Sequence, residues 1–362
     1  MQNKEAEIFI YPHPFTLECG EVLPELRIAY HTYGTRAHDD SNIVWVMHAL
    51  TANSEVADWW PHTVERGKFL DPERWFTVCA NVIGSCYGST GPCTPMPDGS
   101  GAMYAGFPRL TVRDIVAAHR LLAAHLGISR LEMIMGCSLG GFQALEWLVE
   151  DPEIARLAVL CATDYQCRPW LAAINKAMYM AIEADATYGE PRADAGRKGL
   201  EAARAIGLLS YRSHSGYDAT QQDPPGREDP FVRRAHSYQA YQGKKLADRF
   251  DVYSYMRVCQ SSDTHDVSRG RGSFAEALGR IKARCLVAAV TSDILFPPEY
   301  HEEMAAMIPQ AEMRLINSEF AHDGFLIEHE QLDNLISDFR KAHPATPADA
   351  ITPAAQPDAT ID

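Results

Sequence analysis

Apolar residues follow two alternating rhythms along this chain. The unbroken runs Ile43–Met47, Trp75–Asn81, Leu131–Met135 and Leu157–Cys161 are rich in Val, Ile, Leu, Phe and Trp, as expected of strands buried on both faces. Between them, Val112–Leu126 and the stretch from Gly140 to Glu150 repeat apolar positions at helical spacing. The alternation predicts an α/β fold with a mostly parallel sheet and helices on both faces. From about Gln166 to Gly279 the strand-like runs stop. Helical periodicity over Trp170–Asp185, Lys198–Leu209 and His236–Arg249 is joined by polar turns such as Gln221-Gln222-Asp223-Pro224-Pro225-Gly226, which reads as a helical block. Strand character resumes at Cys285–Val290, followed by a helix from Pro298 to Met307, a strand at Glu312–Ile316 and a closing helix near Glu330–Lys341. The expected organisation is a core built from residues 1–165 and 280–343, with a helical cap inserted at 166–279. Beyond His343 the chain turns to Ala, Pro, Thr and Asp, too little apolar surface to repay ordering, so residues 344–362 are expected to form a disordered tail.

Composition narrows the function classes. A chain of 362 residues with 46% hydrophobic content can bury a large core,. Thirty-three Lys and Arg stand against 48 Asp and Glu, a formal charge of −15, which argues against a nucleic-acid binder or a polybasic membrane anchor. Small anions held by a few local arginines stay open. The longest apolar runs are strand-length, so no membrane span is expected. The start of the chain shows no basic segment leading into an apolar one, the mark of a signal peptide. Nine cysteines without C-x-x-C pairs fit reduced thiols in a cytoplasm and no metal site.

The candidate chemistry centres on Gly136-Cys137-Ser138-Leu139-Gly140-Gly141, between a predicted strand and a predicted helix. A glycine-rich strand-to-helix turn can be mere packing. In this context, however, small neighbours permit the sharp turn that exposes the Ser138 hydroxyl at a helix N-terminus. A serine needs a base, and the base needs a group that fixes its tautomer. In sites of this kind the acid and then the histidine follow the serine, each after a late strand. Asp293, after Cys285–Val290, and His322, after Glu312–Ile316, meet that test. His301, His329, His265 and His343 read more simply as packing or solvated residues. For an oxyanion hole, one N–H belongs to Leu139 and a second to the loop after Ile43–Met47, placed at Leu50 with Ala49 and Thr51 as alternatives. His48 reads as a satisfied structural histidine, Gly84–Gly91 as a substrate-side loop, Ser268–Gly272 as a solvated turn and Trp59-Trp60 as packing.

Several blocks together carry a resemblance: HALTANSEVADWW from His48, FTVCANVIGSCYGSTGP from Phe76, FPRLTVRDIV from Phe107, GCSLGGFQALEW from Gly136, YQGKKLADRFDVYSY from Tyr241, SDILFPP from Ser292 and HDGFL from His322. From about residue 8 to 342 the chain resembles the homoserine O-acetyltransferase family of α/β-hydrolase-fold enzymes. The resemblance implies acyl transfer from acetyl-CoA, as co-substrate, to the hydroxyl of L-homoserine, a step towards methionine, with no bound cofactor. It implies a triad of Ser138, Asp293 and His322, an amino-acid site of Arg204, Tyr211 and Asp323, and a homodimer formed through the cap. Arg204 and Tyr211 are seven residues apart, about two helical turns, and so share a face. A guanidinium can grip a carboxylate, and the Asp323 carboxylate suits an ammonium. The chain departs from the family at Cys137 and Ala321, where glycine is frequent, and at Leu139, where methionine or phenylalanine is frequent. A succinyl donor, a serine acceptor, an esterase or thioesterase, and a non-enzymatic interaction protein are the other readings these residues allow.

Overall fold

The computed structural model describes residues 5–226 and 229–345. Residues 1–4, at the chain start where no signal peptide is expected, and 346–362 of the expected tail lie outside the described residues. The chain opens with β1 (Glu7–Tyr11), the short pair β2 (Phe15–Thr16) and β3 (Val22–Leu23), and β4 (Leu26–Tyr33). Next come β5 (Ile43–Met47), α1 (Val56–Trp59), β6 (Phe76–Ala80), α2 (Val112–His125), β7 (Leu131–Cys137), α3 (Leu139–Glu150) and β8 (Ala155–Cys161). Then follow the helices α4 (Pro169–Glu183), α5 (Arg197–Tyr211), α6 (His214–Thr220), α7 (Arg234–Ala247), α8 (Val252–Asp263) and α9 (Phe274–Leu278). The chain closes with β9 (Arg284–Val290), α10 (Pro298–Met307), β10 (Ala311–Ile316), α11 (Gly324–Ile327) and α12 (His329–Ala342).

Eight strands form one sheet in the order β1-β4-β6-β5-β7-β8-β9-β10. From β6 to β10 every neighbouring pair is parallel, and only β1 and β4 are antiparallel additions. The two additions were not anticipated. In β1 only Phe9 is buried while Ile8 and Ile10 face solvent, and Arg27, His31 and Thr32 interrupt the apolar character of β4.

Burial follows the pleat, because successive side chains of a strand point to opposite faces. Ile43, Trp45 and Met47 of β5 join α2, α3 and Met304 of α10 in the core on one face. Val44 and Val46 join Trp60 and the apolar stripe Leu332, Ile336 and Phe339 of α12 on the other. A third core belongs to the helices that follow β8, with Met178, Ile182, Leu200, Ala203, Leu246, Tyr255 and Met256. Those helices lie over the ends of β5, β7 and β9 from which the candidate site emerges. Among the described residues no helix is long and apolar enough to cross a membrane.

Candidate active site

Ser138 sits between β7 and α3 at φ 57°, ψ −126°, a left-handed conformation that costs an L-residue energy and is kept where the surroundings enforce it. The enforcement is visible. A Cβ on Gly136 would lie 2.1 Å from the Gly140 carbonyl oxygen, and one on Gly140 would lie 2.1 Å from the Met47 oxygen, so only glycine lets the turn close and α3 press against the end of β5. Ser138 N–H donates towards the carbonyls of Cys161 and Ala162 at 3.1 and 3.2 Å, pinning the turn to β8. The same approach brings the loop after β5 to the serine. Gln143 of α3 secures it by donating to the His48 carbonyl at 3.2 Å.

His322 Nε2 lies 2.9 Å from Ser138 Oγ and its Nδ1 lies 2.7 Å from Asp293 Oδ2. Asp293 follows β9, and its other oxygen accepts from the backbone N–H groups of Leu295 at 2.8 Å and Phe296 at 3.0 Å. With that carboxylate facing Nδ1, the imidazole donates from Nδ1 and accepts the serine hydroxyl at Nε2. Phe296, Phe325 and Tyr211 surround the imidazole with ring centroids 5.3, 5.4 and 5.9 Å away. Ala321, just before it, has φ +50°, which explains why glycine suits this position and shows that alanine is accommodated at a cost.

The hydroxyl opens into a cavity of about 110 Å³, lined from the core by Leu50, Leu139, Phe142, Phe296, His322 and Asp323 and from the helices after β8 by Leu171, Asn175, Arg204, Tyr211 and Ser262. About 10–15 Å³ on this scale admits one water, so the space suits a small molecule of several heavy atoms. Leu139 is the first residue of α3, where N–H groups lack intrahelical acceptors and the helix dipole favours negative charge. Leu50, Ala49 and Thr51 all line the cavity, so geometry keeps the three loop residues together.

The structure brings Arg204, Tyr211 and Asp323 to the same cavity. The Arg204 guanidinium lies over the Tyr211 ring, 5.4 Å from its centroid, and among the described residues no carboxylate pairs with it. Burial pushes the Tyr211 phenol up, so it stays protonated. Asp323 faces Arg212, whose Nε is 2.6 Å from Oδ2; nothing in the local sequence marks this arginine. Sequence reasoning also missed Asn175 and Ser262. The Asn175 amide donates to Ser262 Oγ at 3.1 Å and to Asp263 at 2.7 Å, a tertiary arrangement without a local signal.

Several lesser expectations fare differently. His48 is buried with both ring nitrogens engaged, by the Ala49 carbonyl and by Val82 N–H, and burial lowers it to about 4. His301 is likewise buried, accepting from Thr163 N–H at 3.0 Å. The turn at Ser268–Gly272 is not simply solvated: Arg271 pairs with the buried Glu146 and Arg269 with Glu18 at 2.7 Å, because the turn closes onto α3. The loop Gly84–Gly91 does not line the cavity; Tyr87 instead packs edge-on against Phe250, 5.5 Å between centroids. Cys137 is buried, and burial raises its thiol, so it is protonated and weakly nucleophilic.

A family model described as the alpha/beta hydrolase fold matches residues 42–327, which gives the class of the chain. A homoserine O-acetyltransferase of Cyclobacterium marinum is 40% identical over 92% of this chain and 94% of its own length. The chain belongs to the homoserine O-acetyltransferase family. The structure of homoserine O-acetyltransferase from Bacillus anthracis matches with TM-score 0.86 at 23% identity, covering 94% of this chain and 98% of that one. An acetylester hydrolase from Corynebacterium glutamicum matches with TM-score 0.82 at 24% identity, covering 93% and 96%. At that identity both likenesses speak to the fold.

Proposed function

We propose that this protein transfers the acetyl group of acetyl-CoA to the hydroxyl of L-homoserine through an acyl-serine intermediate. One observation carries the reading: Ser138 and His322, hydrogen-bonded to each other and backed by Asp293, open onto the same small cavity as Arg204 and Asp323. His322 Nε2 takes the hydroxyl proton as Ser138 Oγ attacks the thioester carbonyl, and Asp293 stabilises the imidazolium that forms. The N–H groups of Leu139 and Leu50 receive the developing oxyanion at the start of α3. The tetrahedral adduct then collapses, the C–S bond breaks, and the CoA thiolate leaves with the proton from His322. In the second half-reaction His322 removes the proton of the homoserine hydroxyl, whose oxygen attacks the acyl carbon and returns Ser138 free.

Transfer requires the amino acid to reach the acyl carbon before water does. Arg204 suits the homoserine carboxylate, Asp323 its ammonium, and Tyr211 forms the wall between Arg204 and His322. The apolar lining by Leu139, Phe142, Leu171, Phe296 and Phe325 excludes solvent. The reaction supplies an activated homoserine for methionine synthesis. A cytoplasmic setting is supported by nine free thiols. A homodimer through the cap is supported by exposed apolar side chains on its helices, Trp170, Met180, Leu209 and Tyr241, and is tested by light scattering with charged substitutions there.

The test of function mixes protein with acetyl-CoA, with and without L-homoserine, and follows thiol release and intact mass. Rapid release only with homoserine, and an acetyl adduct on Ser138 without it, is the expected result. Release indifferent to homoserine would make the protein a hydrolase. Turnover with succinyl-CoA or serine in place of these substrates would revise donor or acceptor.

A further inference from the structure

Asp323 is not a free carboxylate. Its Oδ2 lies 2.6 Å from Nε of Arg212, the residue immediately after α5, one position beyond Tyr211. The contact is an ion pair and not an aligned hydrogen bond, since Arg212 Nε has no hydrogen-bond partner among the described residues, and Asp323 also lines the Ser138 cavity. Arg212 itself lines a second, larger opening beside the first, with Leu209, Ser213, Tyr217, Ser292 and Ile294. The ion pair therefore stands between that outer groove and the Ser138 cavity.

The pairing bears on whether Asp323 can do its work. A carboxylate against apolar walls is driven towards its neutral form, and burial does raise Asp323. Positive charge opposes this: Arg212 most strongly, then His322 in the same turn when it is protonated, then Arg204 on α5. Asp293, after β9, acts in the burial direction, while Tyr211 and Tyr217 face the group as neutral phenols. Arg204 is also the group left to meet a substrate carboxylate, and His322 carries its proton only transiently. Arg212 is thus the steady counter-charge.

We propose that Arg212 is a positioning residue of the acceptor site: its guanidinium, in ion-pair contact with Asp323 Oδ2, keeps a charged carboxylate at the wall of the Ser138 cavity to meet the ammonium of the amino-acid acceptor. The inference rests on the acceptor role given to Asp323 above. Arg212 touches neither substrate nor reacting atoms.

The test compares wild type, Arg212→Gln, Arg212→Lys, Asp323→Asn and the Arg212→Gln/Asp323→Asn double variant across the mildly acidic to neutral range. Its readout is the ratio of kcat/KM for L-homoserine to the rate of Ser138 acylation by acetyl-CoA. The limb due to His322 is common to both half-reactions and cancels in that ratio. Arg212→Gln should move the acid limb of the ratio upward by about one to three pH units, the effect of an adjacent opposite charge on a carboxylate. Acceptor kcat/KM then falls about tenfold for each pH unit below the new midpoint. Arg212→Lys, which keeps the charge but not the fork, should return the limb towards its wild-type position. In the Asp323→Asn background Arg212→Gln should cost nothing more. A pH-independent loss, or an equal fold-loss with and without Asp323, would overturn the inference by making Arg212 merely structural. A raised acceptor KM in Asp323→Asn with an unmoved limb in Arg212→Gln would overturn it alone. An unchanged acceptor KM in Asp323→Asn would overturn both the inference and the acceptor site beneath it.

Discussion

Asp293→Asn separates orientation from mere presence in the proposed triad. Asparagine is nearly isosteric, but its amide has one acceptor and one donor end, and the surroundings decide which goes where. Oδ1 of Asp293 accepts from the N–H groups of Leu295 and Phe296 at 2.8 and 3.0 Å. Turning the NH2 towards them would set donor against donor and leave two buried N–H groups unpaired, at about 1–3 kcal/mol each. The amide oxygen therefore stays with the backbone, and the NH2 faces His322 Nδ1 in place of the acceptor that is now 2.7 Å away. His322 answers by carrying its proton on Nε2, where it cannot accept the Ser138 hydroxyl proton. The same tautomeric trap in a serine protease costs about 10⁴ in rate, which is about 5 kcal/mol of transition-state stabilisation. Acylation of Ser138 by acetyl-CoA should fall by about that factor with little change in the urea midpoint. The assay is the single-turnover appearance of the acetyl adduct by intact mass, together with thiol release. A loss below about tenfold would refute the assignment of Asp293 as the group that fixes His322.

Other expectations follow from the same geometry. Arg204→Ala should raise the homoserine KM by about 10- to 100-fold, the usual worth of hydrogen bonds to a charged group, with a far smaller effect on the thiol burst; loss of the burst would contradict an acceptor role. Ala321→Gly should stabilise the fold by up to about 1 kcal/mol, since relief of about 1–2 kcal/mol at positive φ outweighs the added unfolded-state entropy of about 0.5–1 kcal/mol; a lower urea midpoint would show that Ala321 is unstrained. Burial holds His48 and His301 near 4, and His119 and His265 near 3, below their ordinary 6.5. Below that ordinary value the unfolded chain binds more protons than the folded one, so stability is full above it and is lost as pH falls towards the folded values, by up to about 1.4 kcal/mol per pH unit for each histidine. Urea midpoints measured between about pH 7 and 5 should fall steeply, and a flat profile would mean that these rings titrate normally when folded.

How much of this was legible in the sequence depended on whether a signal was local. Strands β5 to β9 announce themselves because burial on both faces, or nearly so, makes them largely apolar runs, whereas β10, an edge strand with Glu312 and Arg314 in it, buries only Ile316 and gives a weaker signal. The edge strand β1 has a single buried residue, and β4 carries polar residues among its apolar ones, so neither reads as a central strand. The nucleophile turn was legible because its constraint is steric and lies within five residues: Gly136 and Gly140 are needed for close approach. Asp293 and His322 were legible because chain order confines them to loops after late strands. Arg212, by contrast, acquires its meaning only when the end of α5 meets the Ala321–Asp323 turn, a contact spanning more than a hundred residues. Asn175 and Ser262 come from separate helices and show the same limitation.

The division of the cavity wall follows from that topology. The core supplies Ser138, His322 and the loop after β5, with Asp293 behind His322, all in turns that follow strands fixed by the sheet. The helices between β8 and β9 supply Asn175, Arg204, Tyr211 and Ser262. Hydrolysis and transfer share the acylation step and part only at what reaches the acyl carbon, so the sheet alone leaves the two outcomes equal. The choice then rests on side chains that ride on a helical layer with a core of its own. Asp323 is the exception: it stands beside the triad histidine yet takes its counter-charge from Arg212 at the end of α5. Through that ion pair the helix bearing Arg204 is tied to the turn bearing His322. A displacement of α5 would then disturb both ends of the proposed acceptor site together, whereas Ser138, His322 and Asp293 would keep the hydrogen bonds they make within the core.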